Sequence, residues 1–284
     1  MQRKRLNNFR IDPYIEAALR EDITNEDITS AAIYGNGKLA EICLYAKEKG
    51  ILAGSQVFCR TFQLVNPSIE FKIFKEDGET VEPGDEVMKI RGFVSDLLTA
   101  ERTALNFLQR ISGIATETRR CIEELNDPDI RISDTRKTTP NMRIFEKYGV
   151  WAGGGCNHRY NLSDGFLIKD NHIDAAGGIK EAVNAAREYI PFAKKIEVET
   201  ENLEMVEEAL DAGAEIIMLD NMDMVTVEKA VKLIGHRAIV ECSGNIDISN
   251  IARYRGSGVD YLSIGSLTHS FRSLDFSLKN LVYV

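Results

Sequence analysis

The sequence has few cysteines, and their spacing argues against a disulfide framework and against a structural zinc site. Cys43, Cys59, Cys121, Cys156 and Cys242 are scattered along the chain, and no two of them form a CxxC pair. Five scattered cysteines without a CxxC pair suit reduced thiols better than a disulfide framework or a structural zinc site. We therefore expect reduced thiols, which are typical of a cytoplasmic protein.

Long hydrophobic runs are also missing. No stretch approaches the roughly 18 uninterrupted apolar residues that predict a transmembrane helix. The first fifteen residues, MQRKRLNNFRIDPYI, are basic but contain no apolar segment of the kind found in secretory signals. We therefore expect neither a membrane-spanning segment nor a membrane partner.

Positive charge is in deficit, with 35 Lys and Arg against 44 Asp and Glu and a formal net charge of −9. Proteins that bind nucleic acid usually present a basic face, so nucleic acid is not expected as a partner. Against this background the run SDTRKTTPNMR, residues 133–143, concentrates Arg136, Lys137 and Arg143 directly after the strand-like IRI. The run indicates a local site for a small anion.

The N-terminal third predicts helices around antiparallel strands. DPYIEAALREDI has helical apolar spacing, and we expect Asp12 to cap this helix with Pro13 at its first position. Short alternating segments follow, punctuated by Gly, Pro and Asp, as is typical of antiparallel β-structure. A long amphipathic helix is predicted from Asp96, with a break or kink at Gly113.

Beyond that helix the pattern changes to apolar strands that alternate with amphipathic helices, which indicates parallel βαβ units. The recurring step predicts a (β/α) barrel with fewer than eight strands. The strand candidates are DIRISDT, GFLIKD, KKIEVET, AEIIMLDN, RAIVECSG and VDYLSIGS.

Polar residues follow each of these six strands. The C-terminal ends of barrel strands meet at one mouth, where active sites lie. We therefore expect the strand ends to form one site. In chain order the ends are Asp134 to Lys137, Lys169 to His172, Glu199, Asp220 and Asn221, Ser243 to Asn245, and Gly265 with Ser266.

The cations among these residues indicate a ligand that carries carboxylates. Arg136, Lys137 and Lys169 follow strands, and His158 and Arg159 lie in the loop GGGCNHR. An arginine fork matches a carboxylate with two hydrogen bonds, and lysine supplies a compact point charge. Such a set suits a small polyanion.

The remaining strand ends carry different chemistry. Glu199 and Asp220 could hold Mg²⁺ through waters, bind sugar hydroxyls, or stabilise a developing cation. The last two ends, CSGN and SIGSLTHS, offer glycines and hydroxyls, which commonly hold a phosphate group in barrels. The combined pattern predicts a carboxylated ligand and a phosphorylated sugar.

One hairpin-like segment resembles part of another class of protein. DGETVEPGDEVMKIRG resembles the turn-rich half of a biotinyl or lipoyl carrier, which would make Lys89 the modified residue. In such carriers the lysine lies at a hairpin tip before the GDxV stretch, whereas Lys89 follows it inside a strand. A shared β-hairpin scaffold is the favoured interpretation, and a carrier or binding module is the alternative.

Several longer motifs carry a resemblance to a known family. In order, they are ERTALNFLQRISGIAT, DTRKTTP, GGGCNHRYNLSDGFLIKDNHI, IEVETENLE, LDNM, ECSGNI and SIGSLTHS. Together they resemble quinolinate phosphoribosyltransferase, the carboxylating nicotinate-nucleotide pyrophosphorylase family, over almost the whole chain. Asn245 departs from the family pattern, which often has glycine at that position.

The resemblance implies a fold, substrates and an assembly. The fold would be an N-terminal α/β sandwich (1–103), an open barrel of about seven strands (104–270), and a tail (271–284) that packs back on the first domain. The substrates would be quinolinate and phosphoribosyl pyrophosphate, with Mg²⁺ as cofactor. The assembly would be a homodimer, with a higher oligomer left open, in which Arg102 completes the partner's site.

The resemblance also implies residue roles. Quinolinate would be bound by Arg136, His158, Arg159 and Lys169. Phosphoribosyl pyrophosphate would contact Lys137, Glu199 and Asp220, which would be catalytic, and the two acids would hold the metal. Thr135 would also bind substrate. The sugar phosphate would lie near Ser243, Gly244, Asn245, Ile264, Gly265 and Ser266. The alternative within this scaffold is a related enzyme with another carboxylated acceptor.

Overall fold

The computed structural model describes residues 5–34 and 37–284, so residues 1–4 and 35–36 of the predicted first domain lie outside it. The helices are α1 (Asn8–Asp22), α2 (Ile28–Tyr34), α3 (Ser55–Val65), α4 (Val94–Leu125), α5 (Arg143–Gly153), α6 (Asp170–Ala176), α7 (Ile179–Tyr189), α8 (Leu203–Asp211), α9 (Met224–Ile234) and α10 (Ser266–His269). The strands are β1 (Leu39–Ala46), β2 (Gly50–Ile51), β3 (Glu70–Ile73), β4 (Thr80–Val81), β5 (Glu86–Phe93), β6 (Arg131–Ser133), β7 (Phe166–Ile168), β8 (Ile196–Thr200), β9 (Ile216–Asp220), β10 (Ile239–Ser243), β11 (Tyr261–Ser263) and β12 (Phe276–Tyr283). No helix in these described ranges is long and apolar enough to cross a membrane.

The chain divides into two units. The first comprises the described residues up to Arg119 together with Thr139–Gly154 and Ser270–Val284, and the second comprises Arg120–Thr138 and Gly155–His269. The boundaries inferred from the sequence, after residues 103 and 270, stay predictions.

The first unit is built on an antiparallel sheet with the strand order β12-β1-β5-β3. Alternate residues of β1 (Ile42 and Leu44) and of β5 (Met88 and Ile90) point into one core, which phenylalanines of α3 and leucines of α4 complete. This alternation is what a sheet with one covered face requires. The predicted N-terminal domain of helices on an antiparallel sheet is confirmed.

Helix α1 begins earlier than the sequence indicated. Its cap is Asn7, whose side chain accepts the N–H of Phe9 at 3.0 Å, and Pro13 lies inside the helix. Asp12 instead accepts two hydrogen bonds from Arg60 of α3, at 2.8 and 2.7 Å. The predicted cap at Asp12 was wrong because Asn7 supplies the same capping chemistry one and a half turns earlier. Pro13 removes only the bond to the carbonyl of Phe9, an exposed residue whose carbonyl can turn to water.

The predicted break at Gly113 was also wrong, since α4 runs without interruption for 32 residues, and a kink there stays a prediction. A Cβ on Gly113 would lie 2.2 Å from the carbonyl oxygen of Arg272. No side chain fits at that distance. Gly113 therefore serves a close approach of two chain segments within the first unit, and not a helix end.

The second unit is built on a parallel sheet with the strand order β6-β11-β10-β9-β8-β7. Its six strands coincide with the six candidates from the sequence, and the helices α6 to α9 connect β7, β8, β9 and β10, as in a (β/α) barrel. The predicted barrel-like fold is confirmed, with six regular strands where about seven were expected. A parallel bridge between Ser133 and Cys156 adds a single paired position beside β6.

The inward faces of the parallel strands carry polar residues in two layers. Residues two apart in a strand share a face. Glu197 and Glu199 of β8 therefore lie one above the other, as do Glu241 and Ser243 of β10. The upper layer belongs to the C-terminal ends of the strands, and the lower layer lies inside the barrel.

Candidate active site

A cavity of about 450 Å³ opens at the C-terminal ends of the strands of the second unit. It brings together most of the predicted site residues: Thr135, Arg136, Lys137, His158, Arg159, Lys169, Glu199, Asp220, Ser243, Gly244 and Asn245. Leu167, Met218, Asn221, Glu241 and Ser263 complete its lining. Residues from six separate strand ends thus converge on one volume, as the barrel geometry predicts.

Two guanidinium groups, those of Arg136 and Arg159, line this cavity. Arg159 donates from Nη1 to the carbonyl oxygen of Gly165 at 3.0 Å, and its buried Nε has no hydrogen-bond partner among the described residues. Burial lowers the pKa of Arg159, and the nearby charge of Arg136 lowers it further. Two cations held this close and partly out of water favour an anion between them.

The ammonium of Lys169 forms a salt bridge with the carboxylate of Glu199 across the cavity. The backbone N–H of Lys169 is donated to Nδ1 of His172 at 3.0 Å, which fixes the start of α6. Asp220 accepts a hydrogen bond from the side-chain amide of Asn221 at 2.7 Å. Both acids therefore reach the mouth of the cavity with one polar partner each.

The loop after β10 approaches the end of β9 closely. Gly244 has a φ of +101°, and a Cβ there would lie 2.3 Å from Oδ1 and 2.7 Å from the backbone nitrogen of Asn221. Asn245 donates from its side-chain amide to Oδ1 of Asn221 at 3.0 Å. The loop can take this position only because residue 244 has no side chain.

Gly244→Ala is expected to lower the free energy of unfolding by about 2–5 kcal/mol, as the sum of backbone strain and a clash with Asn221. Gly177→Ala is the matched control, since Gly177 has a φ of +89° with no atom within 4 Å of the added Cβ. The control should cost only the strain, about 1–2 kcal/mol. Urea unfolding of both variants measures the difference, and equal losses would argue against the close approach.

The segment after β11, which the sequence also predicted as part of the site, does not line the cavity. Ile264 is fully buried and donates its N–H to the carbonyl of Ser133 at 2.9 Å. A Cβ on Gly265 would lie 3.2 Å from Cδ of Lys137, and Thr268 donates from its hydroxyl to the carbonyl oxygen of Lys137 at 2.8 Å. Within the described residues, Ile264, Gly265 and Ser266 are outside the cavity lining. This segment packs against Lys137 and fixes its backbone.

Two family models match the chain. The N-terminal domain of quinolinate phosphoribosyl transferase matches residues 27–112, and the C-terminal domain of the same enzyme matches residues 114–279. The chain belongs to the quinolinate phosphoribosyl transferase family. The second match contains every residue that lines the cavity.

Relatives in this family are similar over nearly their whole length. A Bacillus subtilis protein named "Probable nicotinate-nucleotide pyrophosphorylase [carboxylating]" is 42% identical over 96% of this chain and 94% of its own. The chloroplastic nicotinate-nucleotide pyrophosphorylase [carboxylating] of Arabidopsis thaliana is 40% identical over 95% of this chain and 83% of its own. The crystal structure of NadC from Streptococcus pyogenes is 51% identical and covers 99% of this chain and all of its own, with a TM-score of 0.97.

The arginine that family resemblance assigns to a partner's site lies in the first unit. Arg102 is exposed on α4 and lines a separate cavity of about 610 Å³ together with Glu21, Asp22 and Arg110. The cavity of the second unit therefore contains each of the predicted arginines except this one. Its assignment to a second chain stays a prediction.

The donor set at the mouth fits a magnesium ion. Glu199 and Asp220 present carboxylate oxygens to the same cavity, and Mg²⁺ typically binds one or two carboxylates together with water and substrate phosphates. Their present partners are a lysine and an amide, both of which an ion could displace. Either residue could therefore hold the ion directly or through water.

Sequence reasoning missed a buried cluster under the cavity. Glu197 and Glu241 lie on the lower inward layer, and Nε2 of His158 lies 3.2 Å from the first carboxylate and 3.4 Å from the second. A sequence signal was present, because each acid precedes a predicted polar strand end by two residues and therefore shares its face.

Burial and charge set the protonation of this cluster. Burial lowers the pKa of His158, and its hydrogen bonds to Glu197 and Glu241 raise that pKa by more, so the cluster holds a proton more tightly than a free imidazole does. Burial also raises the pKa of Glu197. Both shifts favour retention of a proton between His158 and Glu197. The N–H of Arg159 points at Nδ1 of His158 at 2.8 Å, so this proton lies on the Nε2 side of the ring and not on Nδ1.

Proposed function

We propose that this protein transfers the phosphoribosyl group of phosphoribosyl pyrophosphate to quinolinate, with loss of CO₂. The products would be nicotinate mononucleotide and pyrophosphate, a step of de novo NAD biosynthesis. Family membership supports the reaction, and the names of the relatives in Bacillus subtilis and Arabidopsis thaliana describe the same chemistry. Free, scattered cysteines agree with the proposed cytoplasmic location.

One observation carries the proposal on this chain's own residues. Arg136, Arg159 and Lys169 face Glu199 and Asp220 across one cavity. Quinolinate, a pyridine dicarboxylate, is a dianion near neutral pH, and guanidinium and ammonium groups recognise carboxylates through charge-assisted hydrogen bonds. The two acids supply the opposite chemistry, which suits ribose hydroxyls and positive charge.

The acceptor needs no activation by the protein. The ring nitrogen of quinolinate is already a neutral nucleophile with a lone pair, so no general base is required for its attack on C1 of the ribose. The task of the cations is to bind the two carboxylates so that this nitrogen points at C1. Such positioning alone can supply a large part of a rate enhancement.

The barrier lies in breaking the bond between C1 and pyrophosphate, which leaves positive charge on the ribosyl centre. In our proposal Glu199 and Asp220 stabilise this charge and the ribose hydroxyls, and Lys137 neutralises the departing pyrophosphate. A bound Mg²⁺ would supply further neutralisation of the pyrophosphate oxygens. The bond electrons leave with pyrophosphate, and the lone pair of the ring nitrogen forms the new bond to C1.

Decarboxylation then follows from the charge on the ring. The substituted nitrogen is positive, so the adjacent 2-carboxylate can leave as CO₂ and its bond electrons remain on C2. The positive nitrogen stabilises this carbanion until a proton from water adds to it. The 3-carboxylate stays in the product.

The decisive experiment is an assay of the purified protein with quinolinate, phosphoribosyl pyrophosphate and Mg²⁺, with nicotinate replacing quinolinate in a parallel reaction. Nicotinate mononucleotide and CO₂ are measured together. Product from quinolinate alone supports the proposal. If the folded protein gives no product from quinolinate, the proposed reaction is refuted. The alternative, a related enzyme with another carboxylated acceptor, is then favoured.

The carrier alternative has less support. Lys89 lies within β5, paired in register with Cys43 of β1 and Lys72 of β3, and its ammonium lies 3.5 Å from Glu41. A modified lysine must swing freely at a hairpin tip, and a mid-strand residue with neighbours on both sides does not. Intact-mass measurement of protein from cells would detect a biotin or lipoate adduct.

We propose further that the active protein is a homodimer in which Arg102 of one chain completes the site of the other. The support is the family resemblance and the exposure of Arg102 on α4. An exposed arginine at a subunit boundary can contribute a carboxylate-binding fork that a single chain lacks. A higher oligomer built from such dimers is compatible with this arrangement.

Mixing two inactive variants tests the shared site. In a dimer of Arg102→Ala and Arg136→Ala chains, one site would receive both native arginines and the other neither. After subunit exchange, about a quarter of wild-type activity is expected, since half of random dimers are mixed. Absence of rescue, with exchange verified by native mass spectrometry, would place Arg102 in its own chain's site or in none.

A further inference from the structure

The barrel of the second unit has a second cavity beneath the first. This lower cavity, of about 570 Å³, is lined by residues at the N-terminal ends of the strands, among them Arg131, Phe166 and Tyr261. His158, Arg159 and Glu241 line both cavities. The polar cluster of the lower layer is therefore the floor of the upper cavity.

Burial of the two carboxylates in this cluster costs free energy. Glu197 and Glu241 are each only 4% exposed, and carboxylates withdrawn from water lose several kcal/mol of hydration unless they are well paired. A strand of a barrel interior usually carries apolar side chains at such positions. The two acids converge on a single partner, the imidazole of His158.

The backbone N–H of His158 and both of its ring nitrogens have polar partners. Its backbone N–H is donated to Oδ1 of Asp134 at 2.9 Å, and its Nδ1 accepts the backbone N–H of Arg159 at 2.8 Å. Its Nε2 faces the carboxylates of Glu197 and Glu241. Because Nδ1 is an acceptor, the ring carries its proton on Nε2, where it faces both carboxylates.

The same geometry excludes a metal ion bound to the imidazole. The ligand atoms of His158, Glu197 and Glu241 lie within 4.8 Å of one another, which would allow three ligands to one ion. A metal on Nε2 would require the ring proton on Nδ1, where it would meet the N–H of Arg159. The hydrogen-bonded arrangement has no such conflict.

We propose that Glu197 and Glu241 are positioning residues, which lock the tautomer and orientation of His158 so that its Nδ1 holds the Arg159 backbone beneath the carboxylate-binding part of the cavity. Arg159 has one other anchor, the carbonyl of Gly165 at 3.0 Å. Without the two acids the ring could turn, and the guanidinium would lose one of two restraints. This role rests on the proposed function, because it concerns the binding of a carboxylated acceptor.

Glu197→Gln and Glu241→Gln test the role in enzyme kinetics. Each glutamine keeps the shape of the side chain but removes its charge and presents an N–H₂ that can face Nε2. We expect KM for quinolinate to rise about tenfold or more, as is typical when the support of a binding residue is removed, with KM for phosphoribosyl pyrophosphate changed less than about twofold. A fall in kcat alone, or equal changes in both KM values, would overturn the proposal.

The matched control is Glu215→Gln. Glu215 pairs with Arg187 on the outside of the barrel and also accepts the N–H of Ile196 at 2.8 Å. Loss of the negative charge of Glu215 should reduce the stability of the protein without a selective change in KM for quinolinate. If the control reproduces the selective change, the effect is structural and the positioning role is wrong.

A spectroscopic measurement on the wild-type protein does not depend on the folding of variants. The chain has only four histidines, so long-range ¹⁵N–¹H spectra of the imidazoles can be assigned with single substitutions. We expect His158 to show protonated Nε2 and unprotonated Nδ1 at neutral pH. A proton on Nδ1, or a metal ion bound to the imidazole of His158, would overturn the proposal. Because this test needs no substrate, it separates failure of the positioning role from failure of the proposed reaction.

Discussion

Arg136→Ala is expected to lower kcat/KM for quinolinate by about 100- to 1000-fold, because two charge-assisted hydrogen bonds to a carboxylate are lost at about 1.5–3 kcal/mol each, in part replaced by water. Arg136 shares the cavity with Arg159, and their mutual repulsion already favours an anion between them. The effect should be specific to quinolinate. Affinity for phosphoribosyl pyrophosphate, measured by calorimetry, should change less than about threefold, because the proposed contacts of that substrate are made by other side chains.

Two further variants define the cause of the Arg136 effect. Arg136→Lys keeps the charge but removes the planar fork, and should recover only part of the loss. Arg187→Ala is the matched control, since it removes an arginine whose guanidinium pairs with Glu215 on an outer helix. Equal losses for both substrates in Arg136→Ala would contradict the division of the cavity between carboxylates and sugar.

Glu199→Gln is expected to lower kcat by about 100-fold or more, since a preorganised charge facing a developing ion is typically worth that much. The substitution removes the negative charge that faces the proposed ribosyl cation and breaks the salt bridge with Lys169. Ground-state binding of quinolinate should be preserved or strengthened, because Lys169 is then available to its carboxylates. Single-turnover kinetics separate the chemical step from binding.

The control for Glu199 lies two residues further along the chain. Glu201 is exposed at the turn after β8, and Glu201→Gln removes the same charge outside the cavity. It should change kcat less than about twofold, as expected for a surface substitution. A loss of quinolinate affinity without a loss of kcat in Glu199→Gln would show that the carboxylate orients Lys169 and does not face the ribosyl centre.

The sequence was most informative where one pattern recurs. Six apolar strands, each with a polar end, specify both a parallel barrel and the edge at which the polar groups meet, because parallel strands place equivalent ends together. The loop 155–159 was located by its motif and not by periodicity. Its histidine and arginine enter the cavity because Asp134, directly after β6, binds the backbone of His158 and the side chain of Asn157.

The predictions that were wrong or missing have other physical causes. The start of α1 could not be read because Asn7 and Asp12 are both good caps, and only the packing of α1 on α3 assigns Asp12 to Arg60. Gly113 looked like a helix break because a close approach from a distant segment leaves no local signal. Glu197 and Glu241 were passed over because an acid inside an apolar strand has meaning only when the strand's neighbours, and their partner His158, are known.

The antiparallel pairing of β12 with β1 has a consequence for the order of folding. The pair joins Ala40 to Tyr283, so the sheet of the first unit takes its outer strand from residues that follow the whole second unit in the chain. All residues of the second unit are synthesised before that strand exists. The barrel can therefore form during translation while the N-terminal sheet still exposes the unpaired edge of β1. The slow, non-local closure of this edge is expected to be the last folding event, and truncation of the C-terminal strand should leave a chain prone to aggregation through β1.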